Sequence, residues 1–159
     1  MQNEIGVARF GDGDFEGALG IFADLLAIWQ DRDVTDGIIQ SLNNIGCTYF
    51  ALGEFDSCVE AFEEKLDVQR FFLLNCVGSQ SDECGTSNET LKKALVGVAD
   101  TLSNLAYVYK ASGSPDTARF FLEEALTINK SLGSKGSEQM HDIFDILSKL
   151  DPVKDTFEL

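Results

Sequence analysis

The fold of this chain is decided by the stretch from Leu42 to Val68, which reads LNNIGCTYFALGEFDSCVEAFEEKLDV. Apolar residues recur in it at steps of three and four on both sides of Gly53, a spacing that predicts two amphipathic helices joined by a tight turn. A glycine just after a helix can adopt the left-handed conformation that closes the last helical turn. The stretch therefore predicts a helical hairpin that turns at Gly53.

The same pattern occurs three times along the chain. Moving the stretch forward by 60 residues, or back by 40, brings similar residues together, and the first unit is cut short at its beginning. Self-similarity of this kind is the signature of repeat architectures, so the sequence predicts three stacked hairpins. The forward matches are Leu42 with Leu102, Asn44 with Asn104, Ile45 with Leu105, Tyr49 with Tyr109 and Gly53 with Gly113; the backward matches are Ile45 with Ile5, Gly46 with Gly6, Gly53 with Gly13, Phe55 with Phe15 and Phe62 with Phe22.

Small residues follow each turn glycine by five positions, at Ala18, Cys58 and Ala118. A small side chain there lets the second helix of a hairpin approach the first closely, while Tyr49 and Tyr109 fill the space opposite. We expect a stripe of phenylalanines to complete the buried face of the second helices. Its members are Phe15, Phe22, Phe55 and Phe62.

Helices are predicted near residues 14–31, 35–52, 55–75, 87–112, 115–132 and 137–150, six to seven in all, in a right-handed solenoid. The step between the second and third units exceeds the 40-residue period by about 20 residues, which predicts extended helix ends around a loop at residues 76–86. Thr86, Ser114 and Ser137 are the predicted N-caps of the last three helices. Residues 1–150 are expected to form one domain closed by a capping helix, followed by a tail at 151–159.

The second and third units resemble the tetratricopeptide repeat (TPR) family through the runs Asn44-Ile45-Gly46-x-x-Tyr49-x-x-x-Gly53-x-Phe55-x-x-Cys58-x-x-x-Phe62 and Asn104-Leu105-Ala106-x-x-Tyr109-x-x-x-Gly113. The resemblance covers about residues 5–128, and the 40-residue step is similar to the long repeats of kinesin light chains and spindle-orientation scaffolds. Arg9, where a tyrosine is expected, and Lys65 and Cys58, where alanines are expected, depart from the pattern. The resemblance implies an all-α solenoid that binds a protein or peptide in its concave groove.

The charge of the chain restricts its partners. Twelve basic against 27 acidic residues give a net charge of −15, which repels nucleic acid and anionic lipid surfaces and favours protein ligands that carry basic residues. The sequence contains no run of 18 uncharged apolar residues, so no membrane-spanning helix is predicted. The start of the chain lacks the features of a secretory signal, so we expect a cytoplasmic protein, or a fragment whose targeting segment was removed.

Catalytic and metal-binding patterns are scarce, and neither an enzyme nor a cofactor is predicted. The four cysteines form no C-x-x-C pair, and the single histidine, His141, is placed on the polar side of the last predicted helix. Cys47 and Cys58 are expected to pack as apolar residues, whereas Cys76 and Cys84 could close a disulfide in an oxidising compartment. The acidic pairs Glu63-Glu64 and Glu123-Glu124 are interpreted as solvated faces rather than acid-base groups.

The predicted partner-binding surface consists of residues at steps of three and four on the first helix of the second and third hairpins. In the resembled family, the asparagines that match Asn44 and Asn104 bond the backbone of a bound peptide; the alternative is that they tie one repeat to the next. Phe50 and Lys110 are expected to set specificity at the ends of the groove. A binding scaffold is favoured, while a structural subunit of a large assembly and a regulatory module of a longer enzyme stay open. The full set is Gln40, Asn43, Asn44, Cys47, Phe50, Asp100, Ser103, Asn104, Tyr107 and Lys110.

Overall fold

A computed structural model of the chain describes residues 2–78 and 88–133, which form six helices. Each helix packs chiefly on the next one along the chain, so that three consecutive hairpins are stacked. The predicted all-α repeat fold is confirmed, with no strand in the described ranges. The predicted last helix, Thr86, Ser137, His141 and Cys84 lie outside them. The helices are α1 (Gln2–Gly11), α2 (Phe15–Asp31), α3 (Thr35–Leu52), α4 (Phe55–Gly78), α5 (Asn88–Ala111) and α6 (Pro115–Ser131).

The three hairpin turns have the same geometry. Gly13, Gly53 and Gly113 have φ values of 82°, 77° and 85°, the left-handed region that the sequence predicted for them. The amide after each glycine donates to a carbonyl in the last turn of the preceding helix, at 2.9 Å for Asp14, 3.0 Å for Glu54 and 2.8 Å for Ser114. These bonds satisfy carbonyl groups that the helix end would otherwise leave without a partner.

The residues that cap the second helices differ between the units. Asp14 accepts a hydrogen bond from the amide of Gly17 at 3.1 Å and forms an ion pair with Arg9 at 2.9 Å. Arg9 therefore pairs with the cap residue of the first unit, at the position where tyrosine was expected. Ser114 lies at the predicted N-cap before Pro115, but its side chain makes no capping hydrogen bond.

The small positions of the repeat lie at the centre of each hairpin. Ala18, Cys58 and Ala118 are all 0% exposed, which confirms their predicted role. The phenylalanine stripe is confirmed only in part, because Phe22 and Phe62 are buried whereas Phe15 and Phe55 are half-buried. The latter two begin the second helices, next to the turns, where fewer side chains cover them. They pack edge-on against Phe10 and Phe50, with ring centroids 5.3 and 5.8 Å apart.

A glycine in the first helix allows a close crossing in two of the units. A Cβ atom added to Gly6 would lie 2.5 Å from the ring of Phe22, and one added to Gly46 would lie 2.8 Å from the ring of Phe62. The third unit has Ala106 and Leu122 at these positions, and both are buried in one core cluster. The larger first-helix residue is thus matched by a smaller second-helix residue, which conserves the packed volume.

The long step between the second and third units is partly helical. α4 ends at Gly78, so the predicted loop start is wrong by three residues and Cys76, a free thiol, lies in the helix. The physical reason is that no glycine or proline interrupts the chain between Phe55 and Val77. α5 begins at Asn88.

The outer helices are tied from one unit to the next through the acidic pairs. The Gln30 amide donates to Glu64 at 3.4 Å, and the Arg70 guanidinium pairs with Glu124 at 2.7 Å. Gln30 and Arg70 are 40 residues apart and Glu64 and Glu124 are 60 apart, so one contact recurs at equivalent positions. Both contacts are exposed to solvent, so the interpretation of these glutamates as solvated residues agrees with the structure, which adds a donor from the preceding unit to Glu64 and Glu124.

The burial of Cys58 has a chemical consequence. Burial, and secondarily the nearby Cys47, raises the pKa of Cys58 to about 12. Because the thiolate is the nucleophile, we expect Cys58 to resist iodoacetamide at about pH 8 until the protein unfolds. Peptide mapping by mass spectrometry measures this, with the half-buried Cys76 as the internal comparison. Equal alkylation of both cysteines in the folded protein would contradict the packing described here.

Candidate functional site

A groove lies between α3 and α5, and α4 forms its floor. Residues near the start of α3 share one cavity with residues from the first half of α5, and residues near the end of α3 share another with the second half of α5. The two helices therefore run in the same direction, as the first helices of stacked hairpins do. We call this surface the inner groove, and it consists of an apolar pocket and a polar basin.

The apolar pocket lies at the end of the inner groove next to the hairpin turns. Its volume is about 300 Å³, enough for one large apolar side chain. Phe50 and Tyr107 are 40% and 55% exposed and flank it from α3 and α5, while Phe62 reaches it from α4. Asn104 contributes the amide side chain in the lining. The lining residues are Phe10, Cys47, Phe50, Ala51, Phe62, Asn104, Tyr107 and Val108.

The polar basin occupies the other end of the inner groove. It has a volume of about 570 Å³ and contains two carboxylates, those of Asp36 and Asp100, with one lysine, Lys65. Thr101 fixes the floor beside it, because its hydroxyl donates to Gln69 at 2.8 Å. The lining residues are Asp36, Ile39, Gln40, Asn43, Asn44, Lys65, Gln69, Gly97 and Asp100.

Lys65 is a charged side chain at the floor of the inner groove. It is only 6% exposed, and its Nζ donates to Oδ1 of Asn43 at 2.8 Å. Burial lowers the pKa of Lys65, and Cys47 and Asp100 oppose that shift; burial raises the pKa of Asp100, and Lys65 opposes it. The opposite charges thus offset part of the cost of placing each group in a poorly solvated position.

Sequence reasoning did not assign Lys65 to the site. A signal was present, because the equivalent positions of the other units are Leu25 and Ala125, both buried, so a lysine there had to find polar partners. Phe10 was also missed, since the pocket reaches back to the first hairpin.

The structure places most of the predicted partner-binding residues in the inner groove. Cys47, Phe50, Asn104 and Tyr107 line the apolar pocket, and Gln40, Asn43, Asn44 and Asp100 line the polar basin. Ser103 and Lys110 line neither. Lys110 occupies the same repeat position as Phe50, 60 residues later, at the last turn of its helix.

The two matched asparagines have different surroundings. Asn44 donates to Oδ1 of Asn3 at 2.9 Å, which ties α3 to α1 of the preceding unit. Asn104 is half-buried and faces the apolar pocket. The contact of Asn44 is the inter-repeat tie that was considered as the alternative to ligand binding.

Residues 2–78 and 88–133 contain no group of three or more histidine, cysteine or acidic side chains that could hold a metal ion. No helix in these ranges is long and apolar enough to cross a membrane.

Two models of the tetratricopeptide repeat match the sequence, one at residues 39–70 and the other at residues 98–134. The first covers most of α3 and α4, and the second covers most of α5 together with α6. The chain is a tetratricopeptide repeat protein. TPR units generally mediate protein–protein interactions by binding proteins or peptides, and they are typically non-catalytic scaffolds.

Solved structures similar to this TPR chain include a putative kinesin light chain from Podosopora anserina, described as nearly identical TPR-like repeats, at 17% identity and a TM-score of 0.43. That match covers 94% of this chain and 83% of the other. A single-substitution variant of the same protein matches at 16% identity and a TM-score of 0.41, over 94% and 82% of the two chains. No curated protein matches the chain in sequence.

Proposed function

We propose that this TPR protein is a non-catalytic scaffold whose inner groove binds a segment of another protein. The observation that carries this proposal is the apolar pocket beside a polar basin, in a groove built from the first helices of the repeats. Cavities that bind polypeptide segments combine an apolar anchor site with a few polar groups that fix the orientation of the ligand.

A large apolar side chain of the ligand would occupy the pocket between Phe50 and Tyr107. The amide of Asn104 lies at its edge and can both donate to and accept from a peptide backbone. Tyr107 offers a flat apolar surface with a hydroxyl at its rim. This arrangement would bind the backbone without reading its sequence and would select for the size of the anchor residue.

A lysine or arginine of the ligand would occupy the polar basin. Along α5, Asp100 precedes Tyr107 by seven residues, a rise of about 10 Å. Along α3, Asp36 precedes Phe50 by 14 residues, a rise of about 21 Å. An extended chain spans these distances in about three to six residues. The ligand is therefore a segment whose basic residue lies about three to six positions from its apolar anchor, if it is extended.

The net charge of −15 adds a long-range attraction for such a segment. It raises the association rate more than the final affinity, and salt weakens it.

The test is selection of random peptides against the purified chain, followed by titration of the selected peptides on variants. Replacing Asn104 with alanine should weaken binding by about 1 to 3 kcal/mol, with little change in folding stability, because a polar contact loses one partner. Ser103→Ala is the matched control, since Ser103 lies next to Asn104 but lines neither the pocket nor the basin.

The companion variant Asn44→Ala separates binding from tethering. The side chain of Asn44 donates to Asn3 in the unmodified protein. We therefore expect Asn44→Ala to lower the free energy of unfolding more than Asn104→Ala does. Unchanged binding in both variants, together with marked destabilisation, would contradict the groove proposal. That outcome would favour the hypothesis that the chain is a structural subunit of a larger assembly. The two asparagines would then only hold neighbouring repeats together.

A further inference from the structure

A second cleft opens where the turn between α2 and α3 meets the last part of α4. Its volume is about 450 Å³, and it shares no lining residue with the apolar pocket or the polar basin of the inner groove. We call it the outer cleft. Its lining residues are Asp33, Thr35, Ile38, Asp67, Val68, Phe71, Phe72 and Asn75.

The outer cleft carries an exposed aromatic residue that the repeat pattern does not explain. Phe71 is 66% exposed, and Leu74, one turn further along α4, is 71% exposed. At the position equivalent to Phe71, the first unit has Asp31 and the third has Ser131, both polar and exposed. Phe71 thus exposes an aromatic ring where the other two units have polar residues, and exposed apolar residues grouped beside a cleft are typical of interaction surfaces.

Two carboxylates line the outer cleft, Asp33 from the turn between α2 and α3 and Asp67 from α4. Within the described ranges, the side chains of Asp33 and Asp67 make no hydrogen bond or ion pair, and no basic residue lines the cleft. The two nearby arginines contact other groups: Arg32 lies over the ring of Trp29 at 6.0 Å, and Arg70 pairs with Glu124 at 2.7 Å. The cleft therefore combines these two carboxylates with the apolar side chains of Ile38, Val68 and the two phenylalanines.

We propose that the outer cleft is a second docking site, which binds a protein segment with a bulky apolar residue flanked by lysine or arginine. The apolar residue packs on Phe71 and Phe72, and a basic residue on either side meets Asp33 or Asp67. Charge complementarity favours this occupant, since an acidic segment would meet the two carboxylates and the negative field of the chain. The chain then contacts partners at two separate surfaces.

The probe is a short synthetic peptide with a central Leu-Phe pair flanked by arginines, compared with the same peptide flanked by glutamates. Amide chemical shifts of the isotope-labelled chain locate the binding site. The arginine peptide is expected to shift amides around Asp33, Ile38, Val68 and Phe71, while the glutamate peptide leaves them unchanged. Asn104→Ala separates the two surfaces, because it changes the inner groove and should leave these shifts intact.

Matched variants test the two features of the cleft. Phe71→Ser is expected to weaken binding at least roughly tenfold. Phe120→Ser, which removes a phenylalanine that is 63% exposed on α6, should have no effect. Asp33→Asn with Asp67→Asn removes two charges, and asparagine tolerates the positive φ of 52° at position 33. We expect this double variant to weaken binding. The control is Asp24→Asn with Glu60→Gln, which changes the charge equally at exposed sites outside the cleft and should leave binding unchanged.

The proposal is overturned if the arginine peptide causes no amide shift at the cleft up to a peptide concentration of about 1 mM. Equal losses from Phe71→Ser and Phe120→Ser would also overturn it, because binding would then be nonspecific. Shifts confined to the inner groove would leave the proposed function standing and remove this second site.

Discussion

Ala118→Phe is expected to lower the free energy of unfolding by about 3 kcal/mol, at the upper end of overpacking effects. Ala118 is 0% exposed in a core cluster that includes Leu102, Leu105 and Leu122, so a phenyl ring there must displace packed side chains or separate α5 from α6. The measurement is urea unfolding followed by circular dichroism.

The control for this variant is Thr117→Phe, one residue earlier on the same helix. Thr117 is exposed, and surface substitutions of this kind change stability by only about 0.5 kcal/mol. If both variants lost the same stability, the assignment of the buried face of α6 would be wrong.

Gly46→Ala is expected to lower the free energy of unfolding by about 1 to 3 kcal/mol, although alanine is the better helix former. The new Cβ would lie 2.8 Å from the ring of Phe62, which is itself buried and has little room to move. The same substitution at Gly20, in the exposed middle of α2, meets nothing within 4 Å and should instead stabilise by about 0.5 to 1 kcal/mol.

A second substitution tests the cause of that loss. The third unit combines alanine and leucine at these two positions, so Phe62→Leu should recover part of the stability lost in Gly46→Ala. The double-mutant cycle should give a coupling energy of about 1 kcal/mol. Strict additivity would show that the two side chains do not share the space described here.

Most of the fold could be predicted from the sequence because the same pattern of residues occurs in three units. The turn glycines, the small residues at positions 18, 58 and 118, and the starts of α3, α4 and α6 were predicted because each depends on local conformation or on helical spacing. The end of α4 was not predicted, because a polar segment suggested a loop from residue 76, whereas no glycine or proline interrupts the helix before Gly78.

The site was harder to predict because it depends on contacts between units. Helical spacing predicted which residues of α3 and α5 lie on one face. Most of these residues line the inner groove. The burial of Lys65 and the contribution of Phe10 depend on how α4 and α1 pack against those helices, which periodicity within one helix does not report. The tie from Asn44 to Asn3 likewise joins residues 41 positions apart.

Photo-crosslinking shows whether a protein segment binds in the inner groove. A photoreactive phenylalanine analogue replaces either Tyr107, at the apolar pocket, or Phe120, a similarly exposed aromatic residue on α6. A peptide selected against the chain is then irradiated with each variant. If the peptide lies in the inner groove, we expect a crosslink from position 107 and none from position 120. Crosslinking from position 120 alone, or equally from both positions, would contradict binding in the inner groove.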